Sequence, residues 1–388
     1  MIGAGPGDES MLAGAAKSAL NMARRILNTR DMPLAELASE LSSAGKGETA
    51  VLVSGDCGFF SVAKTIIRDH SGIYEIEVIP GISSIQYFCA KLKTSYDDAV
   101  LISLHGRNTN IVSKVAYAQK VIALTGGENG AGDICRTLLR HGLGGVKVSV
   151  GERLSYPDER ILTGSASDFT DMDFDNLSVI CIENPSAADP HIPLGDGEFI
   201  RGSVPMTKEE IRWLSIQKLG ASPGDIIFDI GAGTGSVSVE LARKAFDGFV
   251  YAIEAKEEAC VLVRENAAKH GAFNLEVIHG EAPNALDGLP VPDKAFIGGS
   301  SGNMGGILER LISLNPSIRI VANAITIQTL NQIIENMEKC GITHTDIVCV
   351  NIAKSKKTGG YDIMTAQNPV YIASGQASAS PLTPVRNM

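Results

Sequence analysis

The chain has 388 residues, 44% of them hydrophobic, with 41 glycines and a single tryptophan. That length accommodates two full cores, since single cores stop growing at about 250–300 residues, and the composition excludes a disordered or fibrous chain. A formal net charge of −10 without long charged blocks disfavours a nucleic-acid partner.

Strand-like and helix-like runs alternate along the chain, which predicts an α/β fold with mostly parallel sheets. In the first half the strands are expected at "TAVLVSG", "YEIEVIP", "AVLISLHG", "KVIALTG", "VKVSVGE" and "LSVICIEN". Helices are expected at "SMLAGAAKSALNMARRIL", "FFSVAKTIIRDH", "SIQYFCAKLK" and "GAGDICRTLLRHG". Residues 184–200, "NPSAADPHIPLGDGEFI", carry prolines, glycines and acids with no periodicity and read as a linker. Thr207 and Glu210 then have capping-box spacing ahead of a helix that stops at Gly220. Seven strands follow, at "IIFDIGA", "FVYAIEA", "LEVIHGE", "DKAFIGGS", "IRIVANA", "HTDIVCV" and "PVYIASG", with the helix "TIQTLNQIIENMEKCG" between the fifth and sixth. The expected domains are 1–190 and 191–375, with a small, polar, proline-broken and disordered tail at 376–388.

Seven cysteines are present and none forms C-x-x-C, so neither a disulfide framework nor a zinc site is indicated and no metal is expected. No run approaches the roughly 18 apolar residues of a membrane span. The N-terminus lacks a basic region followed by an apolar one. A cytoplasmic protein without a membrane partner is expected.

The stretch "FDIGAGTGSVSVE" carries the most specific signal. A dinucleotide fingerprint would need its third glycine where Ser236 stands, so a nicotinamide enzyme fits poorly. The G-x-G-x-G spacing, with Asp229 before Gly231, resembles instead motif I of the Rossmann-like S-adenosylmethionine (SAM) methyltransferases. "GFVYAIEA" then ends a strand in Glu254, about 20 residues beyond the first glycine, where such folds place an acid on a ribose. The resemblance implies SAM contacts from Thr207, Gly231, Ala232, Gly233, Thr234, Gly235, Glu254, Glu281 and Ala282. Arg201, Lys208 and Ser300 are candidates for the mouth of that site. Thr207 serves equally as a helix cap.

The first half has its own glycine turns, "GAGPGDESML", "VSGDCGFFSVA", "VIPGISSIQYFCAKL" and "ISLHGR", following one another at strand ends. In order and spacing they resemble the tetrapyrrole (corrin and porphyrin) methylases, a separate SAM-binding fold. The resemblance implies SAM across Gly55, Asp56, Cys57, Gly58, Phe59, Ser83 and Ser84. The Gly5-Pro6-Gly7-Asp8 turn would face the tetrapyrrole, with Asp8, His105 and Arg107 as candidate catalytic residues. Arg107 can bind a carboxylate through two parallel hydrogen bonds.

Three departures stand out. Only Met1 and Ile2 precede the Gly3 loop, where the family has a fuller strand. The second strand and its Gly-x-x-Arg-like element look missing. Cys57 stands where the family usually has proline.

A tetrapyrrole-methylase domain followed by a Rossmann-like domain carrying "GEAPNAL" and "FIGGSSGNM" resembles the fused precorrin C5,15-methyltransferases of cobalamin synthesis. That family methylates C5 and C15 of precorrin-6Y or its cobalt analogue and removes CO2 from the C12 acetate. It also implies a homo-oligomer, dimer or tetramer. Two alternatives remain open at this point. One is an RNA or protein SAM-dependent methyltransferase with an accessory domain, and the other a SAM-binding protein without turnover.

Overall fold

The structure is a computed structural model and describes residues 1–42, 49–104, 110–126 and 130–377. Contacts divide it into two units. The first comprises Met1–Ile111 and Ala118–Pro185; the second runs from Ser186 and includes Val112–Tyr117.

The first unit contains two sheets. In the smaller, β1 (Ile2–Gly3), β2 (Arg25–Asn28) and β3 (Thr49–Val53) lie parallel in the order β1-β3-β2. The run 10–27, expected to be one helix, is helical only over Gly14–Met22. Ala23 turns extended, and Arg25–Asn28 pairs with β3. The second strand, expected to be missing, is therefore present. Leu27 explains why, since it is buried with Leu37, Leu41 and Val51 in a core that a continued helix would leave uncovered. Residues 74–80, expected as a strand, form none. Beside the two-residue β1, the Ile79 carbonyl accepts from the Gly3 amide at 3.0 Å and its amide donates to the Met1 carbonyl at 2.8 Å, while the Glu77 carbonyl accepts from the Met1 amino group at 2.8 Å.

The larger sheet joins β4 (Val100–Ser103), β5 (Lys120–Leu124), β6 (Lys147–Glu152), β7 (Arg160–Ser165) and β8 (Ser178–Glu183) in the order β4-β5-β8-β6-β7. β7 is absent from the sequence expectation. It is an edge strand with no buried residue, so it lacks the apolar alternation by which strands are read.

The second unit is built on a seven-stranded sheet. Its strands are β9 (Ile226–Ile230), β10 (Phe249–Glu254), β11 (Leu275–His279), β12 (Lys294–Ile297), β13 (Arg319–Ala324), β14 (Ile342–Val350) and β17 (Val370–Ala377). The order is β11-β10-β9-β12-β13-β17-β14, with only β17 antiparallel to its neighbours. All seven expected strands are present. β15 (Ala353–Thr358) and β16 (Tyr361–Ala366) form a separate hairpin that the sequence hides, because "AKSKKT" and "YDIMTA" bury no residue on either face. Lys354 ties the hairpin to the helix Glu209–Leu219 through Glu209 at 2.8 Å and Glu210 at 2.6 Å.

The expected linker is largely structured. Leu194 and Phe199 are buried in the core of the second unit. The Leu194 amide donates to Glu240 at 2.9 Å and its carbonyl accepts from Arg212 at 2.7 Å. Gln376 and Ala377, expected in the tail, belong to β17; residues 378–388 lie outside the described residues.

At the centre of the sheet, Asp229 on β9 is fully buried. The Ser238 hydroxyl donates to its Oδ2, while Oδ1 has no partner. Burial, aided by the charge of Glu254, pushes this carboxyl from 3.8 up to about 7. The folded state thus keeps a proton that the unfolded chain has released, so Asp229 costs stability progressively as pH rises from about 4 to about 7. The advantage of Asp229→Asn over wild type should therefore grow across that window, by up to a few kcal/mol. Denaturant titrations along the pH series measure it, and a constant difference between the two proteins would refute the assignment.

Candidate active sites

In the second unit, loops at the carboxyl ends of β9 to β13 surround a cavity of about 840 Å³. The strand order reverses between β9 and β12, the switch point at which open α/β sheets bind ligands. Gly231 and Gly233 have left-handed φ of +74° and +58°. A Cβ on Gly231 would lie 2.7 Å from the Gly299 amide nitrogen, and one on Gly233 would lie 3.0 Å from the Pro205 carbonyl. The loops thus touch backbone to backbone, and a side chain at either glycine would part them.

Glu254 fixes this arrangement. Its Oε2 accepts from the Gly233 amide at 2.9 Å and its Oε1 from the Lys256 amide at 3.0 Å. Two bonds do not exhaust a carboxylate, which has about four acceptor sites. Of the remaining expected contacts, Thr207, Ala232, Glu281 and Ala282 also line the cavity. Thr234 and Gly235 are not among its lining. Thr234 is buried, with its carbonyl taken by Asn266 at 2.9 Å. Gly235 turns the chain into the helix Ser236–Lys244, pressed against Val263.

The expected Thr207–Glu210 capping box does not form. Lys208 takes the cap position without a side-chain bond, and the Thr207 carbonyl accepts from Arg212 at 2.8 Å. Glu210 faces Lys354 of the hairpin instead, a partner that local spacing cannot reveal. Lys208 and Ser300 line the cavity as expected, whereas Arg201 donates to the Asp196 carbonyl at 2.6 Å and is not part of the wall. Among the lining residues that the sequence reading missed are Lys256, Thr326, Gln332, Gln367 and Asn368. Only Thr326 carries a local signal, as the N-cap of the helix Ile327–Lys339.

In the first unit, Gly3, Gly55 and Gly81 meet in the same backbone-to-backbone manner. A Cβ on Gly81 would lie 2.5 Å from the Gly55 carbonyl oxygen, and one on Gly3 would lie 2.5 Å from the Gly81 nitrogen. Asp56 ties the two loops expected to hold a cofactor, its Oδ2 accepting from the Gly58 amide at 2.8 Å and its Oδ1 from the Gly81 amide at 3.0 Å. Gly5 and Gly55 exchange backbone bonds of 3.1 and 2.9 Å.

Ser83 caps the helix Ser84–Leu92 and is answered by Gln86, so its hydroxyl serves the helix while Ser84 begins it. Cys57 is buried, and burial pushes its thiol up from the ordinary value. Phe59 packs on the core of the larger sheet beside Phe60. Asp8 is exposed, with its carboxyl held below the ordinary value by the Ser10 amide at 2.6 Å. His105 and Arg107 lie outside the described residues. Among the described residues no helix is long and apolar enough to cross a membrane.

Comparison with known proteins matches each half separately. Residues 34–170 match the tetrapyrrole (corrin/porphyrin) methylases, and residues 199–375 match the precorrin methyltransferase domain. A precorrin-6Y C(5,15)-methyltransferase (decarboxylating) from a Sinorhizobium species is 32% identical over 345 residues, which is 87% of this chain and 81% of the relative. A probable cobalt-precorrin-6B C(15)-methyltransferase (decarboxylating) from Saccharolobus solfataricus is 42% identical over 48% of this chain and 96% of its own length. A crystal structure of precorrin-6Y C5,15-methyltransferase from Geobacter metallireducens is 35% identical over 48% of this chain and 97% of that one, with a TM-score of 0.46. Because the Sinorhizobium relative aligns over most of both chains, this chain belongs to the precorrin-6Y C(5,15)-methyltransferase (decarboxylating) family.

Proposed function

We propose that the chain methylates precorrin-6Y or its cobalt analogue twice, at C5 in the first unit and at C15 in the second, where CO2 is also lost from the C12 acetate. The observation that carries this reading is the cavity of about 840 Å³ with Glu254 and the glycine loop on its wall. Small-molecule sites span about 300–1,000 Å³. A volume near the upper end suits SAM together with part of a macrocycle. The residues fit the cofactor, for the loop presents backbone rather than side chain and Glu254 keeps acceptor capacity for ribose hydroxyls.

SAM supplies an activated methyl group when bound. Gly231, Ala232, Gly233, Glu254, Glu281 and Ala282 would hold it, and Gly55, Asp56, Gly58 and Ser84 would do so in the first unit. What the protein adds is placement of the macrocycle carbon and exclusion of water. The uncharged Ser300, Thr326, Gln332, Gln367 and Asn368 offer hydrogen bonds to the rim of a substrate without committing to one charge. Lys208 lines the same cavity and has no carboxylate partner among the described residues, which suits it to an acetate or propionate group. In the decarboxylation the bond to CO2 breaks, the electron pair passes into the conjugated ring, and a proton returns to the carbon. The ring acts as its own electron sink, so no redox partner is needed.

A homo-oligomer, dimer or tetramer, completes the proposal. The hairpin exposes Tyr361, Ile363 and Met364, apolar surface suited to burial against a second copy. The same reading places the chain in the cytoplasm, and its net charge of −10 disfavours nucleic-acid partners.

Mass spectrometry of precorrin-6Y incubated with SAM and the protein tests the reading. The expected product gains two methyl groups and loses one CO2. Lys208→Ala should retain both methylations but raise the KM of the C15 step roughly tenfold. An unmodified macrocycle, tried both metal-free and with cobalt, would contradict the proposal.

A further inference from the structure

We propose that Arg30 is a substrate-binding residue of the first unit, seating a carboxylate of the macrocycle beside the Gly5-Pro6-Gly7-Asp8 turn. The assignment rests on the reading that this unit methylates C5. Arg30 follows β2 and gathers three segments distant in sequence. Its Nη2 donates to the Gly5 carbonyl at 2.9 Å, its Nε to the Ser54 hydroxyl at 2.8 Å and its Nη1 to the Tyr156 hydroxyl at 3.4 Å. These are the glycine turn, the start of the loop that continues into Gly55 and Asp56, and the connection between β6 and β7.

That connection is seated on the turn. The Asp8 amide donates to Ser155 Oγ at 2.9 Å, and a Cβ on Gly7 would run into the Tyr156 ring. Arg30 therefore stands at a junction of three segments. The nearby cations Lys91 and Arg153 are neutralised, Lys91 by Glu159 at 2.9 Å and Arg153 by Asp158. Asp31, next in the chain, accepts from the Asn28 side-chain Nδ2 at 2.8 Å.

Arg30 differs from both cations. All three of its acceptors are neutral, and no carboxylate partner is found for it among the described residues. Its side chain is exposed at the turn. A guanidinium has five N–H donors, so two remain after these bonds, the number a carboxylate takes in a paired arrangement. A charge without an acidic partner, held in fixed orientation with donors to spare, matches a polycarboxylate ligand.

Arg30→Gln and Arg30→Lys, assayed for the separate methylations by product mass and position, decide the matter. Glutamine can still donate to the Gly5 carbonyl but has no charge; lysine keeps the charge. The expected result is a roughly 10- to 100-fold rise in KM for C5 methylation in Arg30→Gln, and a smaller rise in Arg30→Lys, which keeps the charge but loses the paired donors. The kcat, SAM affinity and C15 reaction should stay at wild-type values, and the fall in melting temperature from the lost Ser54 and Tyr156 bonds should be shared by both variants. A glutamine variant that behaves as wild type, a loss of SAM affinity that accompanies the KM change, or a KM that rises equally in both variants would overturn the assignment by reducing Arg30 to a brace for the turn. A wild-type chain that adds no methyl at C5 would overturn the reading of the unit and the assignment with it.

Discussion

In each unit one carboxylate holds two backbone amides and so locks a glycine loop whose neighbours approach too closely for any side chain. Asp56 does this for the Gly58 and Gly81 amides, and Glu254 for those of Gly233 and Lys256. Hydrogen bonds to a charged acceptor contribute about 1.5–3 kcal/mol each. Two of them at one carboxylate offset much of the entropy lost by glycine-rich backbone, which is otherwise the most costly to order. The locked loops present amide and carbonyl groups in fixed positions, and that is the preorganisation a small cofactor requires.

Arg212 and its partners support one wall of the second cavity. Arg212 is buried completely, and its two terminal nitrogens bond the Leu194 and Thr207 carbonyls and Asp196 while the group stacks on Phe199; its Nε makes no hydrogen bond but faces the Glu240 carboxylate at 3.8 Å. A buried arginine without such partners would cost several kcal/mol. Through Thr207 it positions the segment that passes over Gly233, where the Pro205 carbonyl leaves no room for a Cβ. The stretch that reads as a loose linker is in this way part of the support of the cavity.

The sequence exposes what is repetitive and local. Alternating apolar strands, the spacing of Gly231 and Gly233, and Glu254 at the end of the next strand can all be read without a fold. Features that depend on distant partners cannot. β2 looks like the last turns of an alanine-rich helix until the Leu37 core demands Leu27. β7 and the β15–β16 hairpin have no buried face to give them a period. Thr207 and Glu210 have the spacing of a cap, but the helix takes Lys208 at the cap position and Glu210 pairs with Lys354. Arg30 carries no motif at all, because its site is assembled from residues 5, 54 and 156.

The central claim is that the chain carries two independent SAM sites, each locked by its own carboxylate. Calorimetric titration of the full-length protein with SAM tests it most directly, alongside the variants Asp56→Ala and Glu254→Ala. The account predicts two equivalents bound per wild-type chain, and one per chain in either variant. A single equivalent in the wild type, or loss of both sites from one substitution, would contradict it.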